Sequence, residues 1–460
     1  MSLLTDRKFL LRSDSYKFSQ AYQYPKGTKR VYSYIEARGP KGAFVTFFGL
    51  QGWLKQIPKI ITEEMVLHAQ KRVLAHGEPF YFELWQKRIG KPLPVQIRAI
   101  PEGMTVPVGT PVVAVLNTNP DEDTWWVTSW LETQMVRAVW YPSTVCTRSR
   151  TLKKIIYRYL QETADNPDAA INFKLHDFGA RGVSSGESAE IGGAAHLVNF
   201  MGTDTFEALS WLEDRYDEFM AGFSIPASEH STMTSWGRAN EDDAYSNMLD
   251  LFAKPGALVA VVSDSYDIYN AASNIWGITL KDKVINSGAT VVIRPDSGDP
   301  VTVILHLLKI LSERFGFTLN SKNYKVLNYV RIIQGDGIDE TSIPAILEAV
   351  KQAGFSTDNL AMGMGGGLLQ QLNRDTLSFA MKASAIELED GTIFEFSKDP
   401  ITQSSKKSKK GIHKVFKDFT LGTYDNMTQV DPDDLMQIVW QDGEFKKEWS
   451  FKEIRLIAAI

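Results

Sequence analysis

The chain has 460 residues, of which 43% are hydrophobic and 23% charged, and its formal net charge is −5. That composition belongs to a globular protein with room for an extensive core, and it excludes a chain-wide attraction to nucleic acid or to anionic membrane. A single cysteine, Cys146, excludes an intrachain disulfide; with a charge-interrupted N-terminus and no run of 18 apolar residues, it sets the expectation of a cytoplasmic protein with no nucleic-acid or membrane partner.

Residues 1–150 read as a mixed α/β region. Strands are expected at 30–37 ("RVYSYIEA") and 94–100 ("PVQIRAI"), with further strands broken by Gly and Pro turns across 101–118. The stretch "ITEEMVLHAQKRVLAHG" predicts a helix closed by Gly77.

From about residue 150 the texture changes. Short apolar runs end in turn on "KLHDFG", "NFMGTD", "PASEH", "VVSDS", "VIRPDSG", "IIQGDG" and "AMGMGGG", with helical stretches between them. Near-continuous apolar strands of this kind predict a parallel sheet covered on both faces. Seven of them predict a closed or nearly closed barrel over 151–384. After 385 the strand signals become short and turn-rich around a basic loop, "SSKKSKKG". The fold class expected is therefore α/β, an irregular β/α barrel with an additional β-rich domain. That second domain is formed from 1–150 and a C-terminal segment, 385–460, that packs with it.

Barrels carry their sites at the carboxyl ends of the strands. Here those ends hold Arg181, Asp204, His230, Asp264, Arg294 with Asp296, Asp336 and the glycines 365–367. Arg294 and Asp296, two apart, share one side of a strand; such a pair suits a phosphorylated, polyhydroxylated ligand or a simple ion pair. "GMGGG" is either an anion cradle or a turn needing positive φ. A His230–Asp264 pair would fix the imidazole tautomer and stabilise its cation, as a nucleophilic or acid–base histidine requires. His176 with Asp177 is a rival pair. "KKSKK" with Lys382 and Lys398 forms the dense basic region, read either as a diphosphate clamp or as a solvated loop. Together these residues indicate an enzyme acting on a sugar phosphate or nucleotide.

The blocks "KLHDFGARGVSSGESAEIGGAAHLVNFMGTDT", "IPASEHSTMTSWG", "VVSDSYDIYN", "IRPDSGDP", "IQGDGID" and "GMGGGLLQQLNRD" resemble the nicotinamide phosphoribosyltransferases, of the type II phosphoribosyltransferase family. The likeness runs from "SDSYKFSQAYQYPKGTKRVYSYIEAR" to "FKEIR". It implies synthesis of nicotinamide mononucleotide and diphosphate from nicotinamide and 5-phosphoribosyl 1-diphosphate, with nicotinate as the alternative acceptor. It also implies Mg²⁺, ATP that phosphorylates His230, and a homodimer with shared active sites.

By position, the resemblance places the pyridine ring between Phe178 and Tyr16 of a second subunit. Asp204 would meet the carboxamide NH₂, and Arg181 the carboxamide oxygen and phosphates. Asp296 and Asp336, with Gly335, would hold the ribose. Gly365, Gly366 and Arg374 would take the 5′-phosphate, and Arg294 a phosphate near the reacting centre. Asp264 would orient His230. Arg38, Lys382, Lys398 and Lys406 would contact diphosphate or ATP. Ala380 and Ala260 stand where the family often has hydroxyl residues, the chain is shorter around Arg38–Phe44, and Glu229 receives no role.

Overall fold

The strand Thr28–Ala37 is buried along nearly its whole length because it lies inside an antiparallel sheet, between Phe379–Leu388 and Pro111–Asn117. The structure, a computed structural model, describes residues 7–399 and 407–459. The sheet has seven strands in the order Ile393–Glu395, Phe379–Leu388, Thr28–Ala37, Pro111–Asn117, Val95–Ala99, Gln437–Gln441 and Glu444–Phe445. It belongs to one compact unit built from the chain up to Thr147, Asp214–Glu218 and Asn373–Ala459. The expected helix is present as Glu63–Ala75, capped by Thr62, which accepts a hydrogen bond from the Met65 N–H; Gly77 follows with φ 94°.

Two features of this unit escape a local reading. Phe379–Leu388 is one continuous strand of the sheet, and a barrel boundary at 384 would cut it. Its partner comes from the other end of the chain, and no local pattern reports such a pairing. The second feature is the start of a 37-residue helix, Val127–Thr163, which belongs to this unit as far as Thr147 and has Pro142 inside it. An internal proline reads as a helix break. Here its ring is accommodated by Gly49, where an added Cβ would stand 2.4 Å from Pro142 Cγ.

The other compact unit comprises Arg148–Glu213 and Phe219–Leu372. Six parallel strands run in the order Gly202–Thr203, Leu175–Asp177, Leu360–Met364, Val330–Gln334, Thr290–Arg294 and Leu258–Val262. Their apolar runs are buried on both faces, as expected of a parallel sheet. The seventh run closes the gap between the two edges: Phe223 bridges to Gly202 and Ala227 to Ala260, both parallel. This run is not a regular strand. Pro226 lacks an N–H and cannot complete a ladder, and the Ser228 hydroxyl instead accepts a hydrogen bond from the Val262 N–H at 3.0 Å. Inside the ring Ala260, Val292 and Ile333 form a core against which Phe178, Ile225 and Ala361 pack. No helix among the described residues is long and apolar enough to cross a membrane.

Candidate active site

Every barrel strand ends on a residue named above as a candidate. Leu175–Asp177 leads to Phe178 and Arg181, Gly202–Thr203 to Asp204, and the closing run to His230. Leu258–Val262 leads to Asp264, Thr290–Arg294 to Asp296, Val330–Gln334 to Asp336 and Leu360–Met364 to the glycines. Parallel strands in one ring place these ends on one rim.

His230 opens the helix His230–Thr234. Its Nε2–H donates to Asp264 Oδ1 at 2.9 Å, with the imidazole half-exposed and the carboxylate buried. The second oxygen of Asp264 accepts from the Asp296 N–H at 3.0 Å and the Ser297 hydroxyl at 2.6 Å. Burial pushes the Asp264 carboxyl up, but the hydrogen bonds from Ser297, His230 and Asp296 outweigh it and hold the group below the ordinary aspartate range. Asp264 is thus an ionised acceptor that fixes the imidazole through one nitrogen and leaves Nδ1 for other chemistry. Glu229 serves the helix itself. Its N–H donates to Thr232 Oγ1 at 3.2 Å, and its carboxylate accepts from Ser231, which closes the first turn.

Phe178 shapes the middle of the ring. An added Cβ on Gly363 would stand 2.0 Å from Phe178 Cε2, and one on Gly335 would stand 3.1 Å from Asp296 Oδ1 and 3.6 Å from the Phe178 ring. Glycine at these positions lets an aromatic face and a carboxylate share one small space. Gly182 and Gly366 approach so closely that a Cβ on the first would meet the second's backbone at 3.1 Å. The turn of Arg181 therefore lies against the glycine turn. Gly363, Gly365, Gly366 and Gly367 all lie outside the positive-φ region, and at Gly363 and Gly367 it is close approach, to the Phe178 ring and to Met364, that favours glycine. Gly366–Leu369 is a single helical turn whose first N–H groups have no carbonyl to reach within it.

Arg294 Nη2 lies 3.6 Å from Asp296 Oδ2, and Arg294 Nε is buried without a hydrogen-bond partner among the described residues. Asp204 accepts from the Ser224 hydroxyl at 2.5 Å and opens on a cleft of about 540 Å³ lined also by Phe206, Met220 and Phe223. Ala260 lies in the core next to Phe178. His176 does not pair with Asp177. Its Nε2 meets the Phe173 carbonyl at 3.0 Å, its ring occupies the space a Gly202 side chain would need, and burial lowers its pKa.

Two supports of this rim were expected in another role or not at all. Asp177 is fully buried, with Oδ1 accepting from the Gly179 N–H at 2.7 Å; burial, reinforced by Asp204 and Glu207, pushes its carboxyl up to about 6. Arg148 pairs with Glu340 at 2.7 Å and donates to the carbonyls of Gly367 and Gln371, which pins the glycine turn. The "HDFG" motif pointed at Asp177, though as a partner for His176, and no local pattern marks Arg148.

The remaining residues belong to the antiparallel unit. Tyr16 is exposed on the 3-10 turn Ser15–Ser19. Arg374 is exposed beside Asp375 at 3.1 Å. Lys382, on the strand Phe379–Leu388, has its ammonium held below the usual lysine range, first by burial and then by the charges of Arg38, Lys17 and Lys398 against the opposing pull of Glu132. Four cations thus face one region of this unit. Lys409, from the basic loop, is engaged with the buried Glu36. Ala380 pairs with Glu36 in the sheet and is buried. Lys406 lies outside the described residues. Among the described residues no three His, Cys, Asp or Glu side chains are grouped to hold a metal ion.

The nicotinate phosphoribosyltransferase family model matches residues 173–444, and the nicotinamide phosphoribosyltransferase N-terminal domain model matches residues 8–97. A nicotinamide phosphoribosyltransferase of Xanthomonas campestris is 50% identical over 457 residues, covering 97% of each chain. One from Acinetobacter baylyi is 31% identical over 488 residues, covering 96% of this chain and 95% of the other. Two crystal structures share the fold. Nicotinate-nucleotide pyrophosphorylase from Pyrococcus furiosus has a TM-score of 0.59 at 14% identity, covering 100% of this chain and 96% of its own. Human nicotinic acid phosphoribosyltransferase has a TM-score of 0.56 at 16% identity, covering 97% and 92%. The glycine-shaped rim, the His230–Asp264 pair and this full-length identity agree: the chain belongs to the nicotinamide phosphoribosyltransferase family of pentosyl-transferring enzymes.

Proposed function

We propose that this protein transfers the 5-phosphoribosyl group from 5-phosphoribosyl 1-diphosphate to nicotinamide, yielding nicotinamide mononucleotide and diphosphate, a cytoplasmic salvage step toward NAD. The observation that carries the reading is the rim, where Phe178, Asp204, Asp296 and Gly335 all stand on strand ends of one ring and Gly335 leaves room beside both Phe178 and Asp296. Asp204 favours the amide. A carboxylate accepts from a carboxamide NH₂ and repels the carboxylate of nicotinate, the acceptor named in the broader family model.

Breaking the anomeric C–O bond develops positive charge on the ribose and negative charge on the leaving diphosphate, so positioning and charge neutralisation supply the catalysis. Phe178 stacks on the pyridine ring, and Tyr16 of a second copy closes the other face. Arg181 reaches the carboxamide oxygen and the phosphates. Asp296 and Asp336, with Gly335, hold the ribose hydroxyls. Gly365, Gly366 and Arg374 take the 5′-phosphate. Arg294, Arg38, Lys382, Lys398 and Lys406 meet the diphosphate or ATP. The apolar side chains beside Asp204, with Phe206 80% exposed, support a homodimer covering this face.

The donor set fits Mg²⁺ as an ion shared with substrate phosphates, because one or two carboxylates suffice for such binding and no dedicated cage is needed. Asp296 and Asp336 are the carboxylates that would share it, and when bound it neutralises diphosphate charge. ATP phosphorylates His230 at Nδ1, the nitrogen left by Asp264; the added charge organises the basic groups and tightens substrate binding.

The test is a product assay with nicotinamide, 5-phosphoribosyl 1-diphosphate and Mg²⁺, run with and without ATP. Nicotinamide mononucleotide should form, faster with ATP. His230→Ala should keep slow turnover and lose the ATP stimulation. Turnover of nicotinate in place of nicotinamide would overturn the substrate assignment, and ATP stimulation of the variant would overturn the phosphohistidine.

A further inference from the structure

The antiparallel unit holds a second concentration of positive charge that none of these roles uses. Arg7, Lys8 and Arg12 flank the 3-10 turn Phe9–Leu11, which packs on the helix Glu63–Ala75. That helix supplies His68 and Arg72, four residues apart and so on one face. The helix Val127–Thr163 adds Arg137. These six side chains line a cleft of about 620 Å³, the size of a small-molecule site.

None of the five cations is ion-paired with a described residue. Arg7 Nε is buried without a hydrogen-bond partner among them. The His68 imidazole records the crowding: burial first, and then Arg7, Arg72 and Lys8, hold it below the usual histidine range, with Glu64 alone opposing. Like charges gathered in a concave site are unfavourable until an anion enters, and guanidinium forks match the oxygens of phosphate. An adjoining groove of about 380 Å³ shares Leu11 and Arg72 with the cleft and adds the apolar Phe18 and Val73.

We propose that this cleft binds a small oligophosphate, with the groove placed to receive whatever apolar or heterocyclic group the phosphates carry. None of the residues lining the cleft has a role on the rim or in the Lys382 cluster, so the proposal does not depend on the catalytic assignment. A chain of net charge −5 with a local, concave cationic site suits a small ligand, not a nucleic-acid track.

Calorimetric titration of the full chain with inorganic tripolyphosphate, at low and at moderate salt, tests it. The parent should bind, and more weakly as salt rises. Arg72→Gln with Arg137→Gln, both exposed positions, should weaken binding about tenfold or more while leaving turnover unchanged. Lys382→Gln, which removes a charge from the other cluster, should leave this binding event in place. The His68 ring resonance should shift when the anion is added to the parent and not when it is added to the double variant. A parallel titration with ATP separates a free oligophosphate, bound equally well, from a nucleotide, bound more tightly through the groove. Failure of the parent to bind at low salt, or affinity unchanged in the double variant, or binding lost only in Lys382→Gln, would overturn the proposal.

Discussion

Gly363 bears most directly on the shape of the rim. A methyl group there would stand 2.0 Å from the Phe178 ring, and the ring would have to leave its place. Gly363→Ala should therefore cost about 1–3 kcal/mol by overpacking. It should also raise KM for nicotinamide more than it lowers kcat, as steady-state kinetics on the folded variant would show. Asp177 makes a different prediction. Its carboxyl is pushed up to about 6 from an ordinary 3.8, so between those values the folded chain keeps a proton that the unfolded chain releases, and stability falls as pH rises. The difference amounts to about 3 kcal/mol. Asp177→Asn keeps the acceptor for Gly179 and cannot ionise. Urea unfolding should show the parent losing stability relative to the variant between pH 4 and 6, and parallel curves would refute the buried, neutral carboxyl. Residues such as His230, Asp264 and Asp296 were legible because each stands within a few residues of the end of an apolar run. Ser297 and Arg148 were not, because their importance lies in partners brought to them by other elements.

Among the elements, strand runs and their polar ends were the most readable. Apolar β-branched stretches buried on both faces have few alternatives to a parallel strand. The helix Pro300–Phe315 illustrates how a motif divides between structure and site. In "IRPDSGDP" the last acid, Asp299, is the N-cap and accepts from the Thr302 N–H at 2.8 Å, whereas Asp296 faces the rim. Asp299→Ala should cost about 1 kcal/mol of stability, measured by denaturant unfolding, and leave KM for 5-phosphoribosyl 1-diphosphate near the parent value. A large rise in KM would show that the cap also holds the substrate. The helix Val127–Thr163 was hidden by Pro142, whose ring finds room beside Gly49, a residue far from it in the chain. The closing run at 223–228 was legible as a strand, although Pro226 reduces it to isolated bridges.

Across the whole chain, His413 in one unit and Asp177 in the other contribute to stability with opposite pH dependence. In the antiparallel unit burial, helped by Lys409, holds His413 down to about 4, so as pH falls below its ordinary 6.5 the unfolded chain gains a proton first and the stability His413 contributes is lost. Asp177 in the barrel unit contributes in the opposite sense over the same window, with His176 beside it, lowered by burial, acting against it. Hydrogen exchange should become faster at Ile412–Val415 relative to Leu175–Asp177 as pH is lowered from 6 to 4, after correction for the intrinsic pH dependence. A uniform change in both would refute the opposition. The barrel, its seven polar strand ends and the family were all readable from the residues in order, because each rests on local periodicity or on ordered motifs. Folding in three dimensions was needed to show that Phe379–Leu388 joins the N-terminal sheet, that Gly363 serves close approach to Phe178 and not positive φ, and that Arg7, Arg72 and Arg137 share one cleft. Strand pairing, interatomic clearance and charge convergence depend on residues far apart in the chain, and their energies exist only once the chain has folded.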